Sequence, residues 1–266
     1  MKIYKYWTTE KQTILIDRQP QAITCYGGSN ISVEDARRVA QEKAQKIQRK
    51  IAGEKRLFED YESEIREELL ETIDAGAVVT RNRYGARVLN VEKLMILDID
   101  KPKSAGLAGL FKKKDTRPPK EQIFDMVKTL ATTKYTNLGF RIYETFQGAR
   151  VIVLGRDFDP RDPQTQKMMD EFNCDPLYTM LCVKQGCYRA RLTPKPSRMK
   201  FRGFKVKYPR EGDEGEFQRW VGEYEGMSRN FTVCNFIEQV GSGHSLPEVV
   251  RFHDDAAGVG YPQQLA

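Results

Sequence analysis

Leu94-Met95-Ile96-Leu97-Asp98-Ile99-Asp100 is the stretch from which the rest of the chain can be read. An apolar run that ends in two acids two residues apart suits a strand buried on both faces at the centre of a sheet. Residues i and i+2 of a strand share a face and lie about 6.6 Å apart along the backbone. Asp98 and Asp100 therefore project together from the strand end. Side-by-side carboxylates repel unless a cation lies between them. Mg²⁺ and Mn²⁺ take such oxygens, together with water and substrate phosphates. The carboxyl end of a sheet strand is also where many α/β proteins open a ligand crevice. The competing reading is local: an Asp at a strand exit often caps a turn, and Asp100-Lys101-Pro102 has turn composition.

Upstream, strands are expected at Thr13–Ile16 and Ala22–Tyr26, the second closed by Gly27-Gly28. Ser32 stands in N-cap position for a long polar helix ending near Ala52. A second helix is expected over Glu62–Ile73, where Ile65, Leu69 and Ile73 recur at four-residue spacing. Ala77–Thr80 and Arg87–Asn90 read as a hairpin turning through Asn82, Tyr84 and Gly85. Downstream, Lys101–Lys120 reads as an insertion. A helix over Lys120–Thr133, strands over Phe140–Thr145 and Ala149–Leu154, a helix over Gln164–Phe172 and a strand over Cys187–Leu192 follow. From Met95 to Leu192 the order is β-α-β-β-α-β, the RRM-like or ferredoxin-like arrangement. The fold class is thus α+β: an N-terminal α/β unit (1–90), a palm-like core with a basic extension (91–210) and a helical C-terminal part (211–266), forming one compact domain.

The chain has 266 residues, 39% hydrophobic and 30% charged, enough for a real core under a well-solvated surface. Five cysteines without framework spacing, and an N-terminus without a signal-like apolar core, point to free thiols in a reducing cytoplasm. No apolar stretch is long enough to span a membrane. The net charge of +7 is compatible with a polyanionic partner.

Its distribution says more. The 22 residues from Arg189 to Arg210 hold nine cations and no acid: Arg189, Arg191, Lys195, Arg198, Lys200, Arg202, Lys205, Lys207 and Arg210. Tyr188, Phe201, Phe204 and Tyr208 are interleaved among them. Cations neutralise phosphates and aromatic faces stack on bases, the combination that single-stranded nucleic acid favours. The alternative is a solvated charged face. In the turn Thr145-Phe146-Gln147-Gly148-Ala149-Arg150, Gly148 permits close backbone approach, and Gln147 and Arg150 have the reach to bind a phosphate.

Together, the Asp98-x-Asp100 strand, the helix after it, the Gly148 hairpin and Arg189-Ala190-Arg191 resemble the palm of archaeo-eukaryotic primases and primase-polymerases. The resemblance covers about 100 residues. It implies that Asp98 and Asp100 bind Mg²⁺ or Mn²⁺ and that Arg189 or Arg191 contacts nucleotide phosphate. The pattern departs at the hairpin, where the family has a histidine after a small residue and this chain has Gly148-Ala149-Arg150. Arginine binds a triphosphate but is no substitute for a neutral imidazole. Asp157 and Asp159 are candidates for the family's third acid by proximity alone.

A P-loop and a Gly-x-Gly-x-x-Gly turn are both missing, which sets aside two common nucleotide-binding folds. His253-Asp254 invites comparison with metal phosphohydrolases, but the chain has only two histidines. Cys182-x4-Cys187 with His244 and His253 lacks regular zinc spacing. The leading expectation is metal-dependent handling of a nucleoside triphosphate or nucleic acid, with nucleotidyltransfer as its catalytic form. Lys195, Arg198, Lys200, Arg202, Lys205 and Lys207 would track the strand, with Phe201 and Phe204 stacking on bases. The rivals are a non-catalytic nucleic-acid-binding module on the same fold and a protein that docks on an acidic partner. Sequence does not fix the oligomeric state.

Overall fold

A computed structural model describes residues 1–16, 19–51, 53, 63–101, 117–204, 208–210 and 214–266. The expected insertion at Lys101–Lys120 therefore falls largely outside the described residues, as do Lys205 and Lys207. The chain is mixed α+β.

β1 (Tyr6–Ile16) and β2 (Gln19–Ser29) form a long antiparallel ribbon on which α1 (Val33–Ile51) packs. Ser32 caps α1, its hydroxyl accepting from the Asp35 amide at 3.1 Å. Ala36, Ala40 and Ala44 face the ribbon. The contact is close enough that a Cβ on Gly27 would come within 1.9 Å of the Ala36 carbonyl oxygen.

A second sheet follows in the order β3 (Glu68–Asp74), β4 (Ala77–Arg81), β5 (Arg87–Val91), with its last strand arriving from far downstream. Glu68–Asp74 is thus a strand, where the sequence pattern predicts a helix. A four-residue repeat would keep one face in a regular strand as in a helix, but register shifts at Leu69/Glu71 and Thr72/Asp74 break the alternation in β3 and leave Leu70 and Ile73 against the core. The repeat could not discriminate, and pairing with β4 decides the outcome.

β6 (Ile96–Asp100), α2 (Pro119–Thr133), β7 (Gly139–Thr145), β8 (Gly148–Leu154) and α3 (Pro163–Glu171) come next, then α4 (Pro176–Gln185) and β9 (Tyr188–Arg191). β8 lies between β6 and β7, antiparallel to both. Two expectations change here. β6 is not central: it is the edge of the hydrogen-bonded sheet β11-β7-β8-β6, in which β11 (Cys234–Gly241) joins β7. β9 does not enter that sheet but completes β3-β4-β5-β9, so hydrogen bonding crosses the boundary expected near residue 90.

The edge of β6 is nevertheless closed. The Tyr178 hydroxyl on α4 donates to the Ile96 carbonyl at 2.8 Å and accepts from the Arg189 amide at 3.2 Å, linking β6 to β9. Leu97 and Ile99 are consequently buried despite their edge position. One core runs through both sheets and includes Leu89, Ile96, Phe140, Val151, Phe172 and Tyr188. The C-terminal part is less helical than its composition implies: α5 (Glu214–Ser228), β10 (Phe231–Thr232), β11, α6 (Glu248–Ala256) and β12 (Gln264–Leu265) alternate. No helix among the described residues is long and apolar enough to cross a membrane.

Candidate functional site

The β6–β8 register sets Asp98 opposite Arg150 and Asp100 opposite Gly148. Cross-strand partners share a face, so the two acids and the arginine stand on the same side of the sheet. Gly148 is required by the strand itself, because a Cβ there would lie 2.0 Å from the Ile99 carbonyl oxygen. The close approach inferred from sequence is therefore made to β6, and it brings Arg150 level with Asp98.

The other cations arrive from β9 and the 3-10 turn Pro196–Met199. Arg191 ends β9, and its carbonyl accepts from Arg150 Nη1 at 3.0 Å. Pro194 and Pro196 are buried, and the Tyr224 hydroxyl holds the Pro194 carbonyl at 2.7 Å. This fixes the turn that carries Lys195 and Arg198, both of which feel the charge of Asp98. Arg198 Nη2 donates to Gln147 Oε1 at 3.0 Å and its guanidinium covers the Phe146 ring.

These groups interact without pairing. Among the described residues no carboxylate lies within 4.0 Å of a cationic nitrogen of Arg150, Arg191, Lys195 or Arg198. Burial pushes the Arg191 guanidinium down to about 10, Arg198 and Arg150 push the same way, and Asp98 and Asp100 oppose the shift. Burial also lowers Lys195, with Arg191 and Arg198 adding to it. Arg198 is lowered by burial, against the pull of Asp98 and Asp100. Burial raises the Asp100 carboxyl, helped by Asp98 and Asp175 and resisted by Arg198 and Arg191. Each charged form is thus disfavoured in the protein alone, and an ion of the opposite sign would relieve it.

Several expected site residues lie elsewhere. Arg189 turns to Glu67, whose carboxylate also accepts from Thr80, and borders a separate cavity of about 740 Å³. Phe201 and Phe204, both half-buried, pack on Trp220 and join Phe217 and Tyr224 in a second apolar cluster. The interleaved aromatics anchor the basic segment to α5. Arg202 pairs with Glu223 and Arg210 with Glu68 and with the nearby Glu214, so acids outside the run offset part of its charge. Lys200 is exposed in a left-handed conformation after the 3-10 turn. Asp157 pairs with Lys93, and Asp159 accepts from the Arg161 amide.

The acid that does approach the pair is Asp175, N-cap of α4, whose amide donates to the Asp98 carbonyl at 2.8 Å. Sequence did carry a signal for it, since Asp175-Pro176 opening a segment closed by Gly186 is a helix signature. The other group is His253, which the sequence offers only as a metal-site candidate and the structure places beside Arg150. It is fully buried, with Nε2 2.8 Å from Arg150 Nη1 and Nδ1 2.9 Å from Asp254 Oδ1. Asp254 also accepts from the Tyr143 hydroxyl at 2.6 Å and from Arg141 Nη2 at 2.5 Å. No local pattern ties residues 150 and 253 together; only the packing of α6 on the sheet does so.

Among the described residues no three His, Cys, Asp or Glu side chains are grouped to hold a metal ion. The residues that could hold one are Asp98 and Asp100, with Asp175 close enough to raise the Asp100 carboxyl. All five cysteines are free and buried. The chain matches no family model, no curated protein and no solved structure.

Proposed function

We propose that this face handles the phosphates of a nucleoside triphosphate or nucleic acid with Mg²⁺ or Mn²⁺, on an RRM-like palm resembling that of primases, with nucleotidyltransfer as its catalytic form. The observation that carries the reading is the set of opposed but unpaired charges: Asp98 and Asp100 against Arg150, Arg191, Lys195 and Arg198. An ordinary structural cluster would close into ion pairs, as Arg189–Glu67 does nearby. The β6-β8-β7 ladder and the order β-α-β-β-α-α-β, with one helix more than the expected pattern, support the palm assignment, although β9 lies in the neighbouring sheet.

Asp98 and Asp100 would hold the divalent ion. When bound, it neutralises charge on the phosphate oxygens and orients them for in-line transfer. Arg191 and Arg150 clamp the outer phosphates, and Lys195 and Arg198 guide the chain of phosphates to them. Metal-dependent nucleotide incorporation or cleavage, compared between the wild type and Asp98→Ala/Asp100→Ala, tests the enzymatic form. Equal activity in both ends it.

A non-catalytic nucleic-acid-binding module is the second reading, favoured by arginine at position 150 and by the lack of a three-ligand metal group among the described residues. It predicts salt-dependent binding that survives both Asp substitutions and needs no divalent ion.

A further inference from the structure

We propose that His253 and Asp254 form a positioning dyad that presents Arg150 as a phosphate receptor; this rests on the phosphate reading above. A guanidinium can only donate. The 2.8 Å contact from Arg150 Nη1 therefore makes His253 Nε2 an acceptor. The imidazole proton must then sit on Nδ1, where it donates to Asp254 Oδ1 at 2.9 Å. Asp254 is held in turn by the Tyr143 hydroxyl and by Arg141. One tautomer and one ring orientation satisfy every contact.

The consequence falls on Arg150. Its Nη1 has two hydrogens, taken by His253 Nε2 and the Arg191 carbonyl, with Cys234 Sγ at 3.9 Å as a weak third contact. Among the described residues Nε and Nη2 make no hydrogen bond, yet neither is among the sealed polar atoms that lack a partner. Arg150 is buried overall, at 5% exposure, and the accessible atoms that remain include that edge of the guanidinium, on the face shared with Asp98. Among the described residues the buried network holds Arg150 and Arg141 with one carboxylate, Asp254, while Asp98 faces Arg150 across the strand pair without closing an ion pair. A phosphate on that edge would match the guanidinium in both charge and donor geometry. A protonated imidazole would have no acceptor for Arg150, so the receptor requires the neutral ring. Arg150, Arg141, Asp254 and Tyr143 all bear on that ring.

The test uses the full chain with His253→Gln, which keeps an acceptor near the Nε2 position, and His253→Leu, which removes it. Long-range ¹H–¹⁵N spectra should show one imidazole, absent from both variants, that stays neutral as the Nδ1–H tautomer to below pH 5. An Nε2–H ring, or one titrating near 6.5, overturns the dyad. Inorganic tripolyphosphate binding in EDTA should weaken about tenfold or more in His253→Leu and stay within about threefold of wild type in His253→Gln, from the loss or retention of one hydrogen bond to a charged group. Equal loss in both variants, or no loss in either, overturns the proposal. If the wild type binds no tripolyphosphate, the phosphate reading and the receptor role fall together; binding that ignores His253 overturns the dyad alone.

Discussion

Replacing Arg191 with methionine should stabilise the protein while removing a phosphate contact. Arg191 is half-buried, and its guanidinium has no hydrogen-bond acceptor among the described residues. Its pKa falls from the ordinary guanidinium value to about 10, for burial first and then for Arg198 and Arg150. At about 1.4 kcal/mol per pH unit, that displacement corresponds to roughly 3 kcal/mol of destabilisation. Solvent reaching part of the side chain reduces the observable gain to about 1–3 kcal/mol. Methionine keeps the apolar stem and adds no charge, and the main-chain carbonyl that receives Arg150 is unchanged. A base whose folded pKa is depressed carries its full cost at every pH below that value. The gain should therefore be flat from about pH 5 to 9, begin to fall only above about 10, and vanish only above the ordinary guanidinium value. For a chain of this size, thermal unfolding in metal-free, low-salt buffer should shift upward by roughly 3–9 °C. Arg202→Met, which loses only an exposed pair with Glu223, should change stability by less than about 0.5 kcal/mol. If Arg191→Met is destabilised by more than about 1 kcal/mol, the charge is already compensated and the reasoning fails.

Other outcomes follow from the same geometry. Gly148→Ala drives a Cβ into the Ile99 carbonyl and should cost at least about 2 kcal/mol in urea denaturation; a neutral effect would mean that β6 and β8 are not so closely apposed. His253 is fully buried with its pKa lowered to about 4, by burial first, so the unfolded chain binds the extra proton. Stability should then fall as pH drops from 6.5 to about 4, by as much as about 3 kcal/mol, with a slope that His253→Gln removes. Phe201→Ala and Phe204→Ala should each lower stability by about 2 kcal/mol with oligonucleotide affinity retained; unchanged stability with lost affinity would return them to the binding surface. Asp100→Asn should stabilise the metal-free protein at neutral pH, because the raised carboxyl is penalised above its folded pKa and relieved as pH falls through it. Added Mg²⁺ should narrow that difference, and a gap that ignores Mg²⁺ would argue against a cation at this position.

Much of the fold is written locally. The Ser32 cap, the Pro-started α2 and the strand pair around Phe146-Gln147-Gly148 follow from neighbouring residues. What the local pattern lacked was the long-range pairing. Whether residues 68–74 form a helix or a strand is settled by β4, because a four-residue repeat is compatible with both. Nor could an apolar run say whether β6 is central or is an edge covered by Tyr178, since burial on both faces looks the same in either case. At the site, Asp98 and Asp100 were legible because strand geometry fixes their relation. The basic run was misleading in part, since Glu67, Glu68, Glu214 and Glu223 return from other segments to pair with Arg189, Arg210 and Arg202. The same folding packs Phe201 and Phe204 against Trp220 and brings Asp175 and His253 to the site.

The central claim is that Asp98 and Asp100 face Arg150 and Arg191 across a gap that a divalent ion and a phosphate fill together. Calorimetric titration of Mn²⁺ into the protein, with and without saturating ATP, tests it most directly. Mn²⁺ affinity at the protein should rise when ATP is present, beyond what Mn²⁺–ATP association alone accounts for, and that gain should disappear in Asp98→Ala/Asp100→Ala. Mn²⁺ and ATP binding that are independent of one another, or a gain undiminished in the double variant, would contradict it.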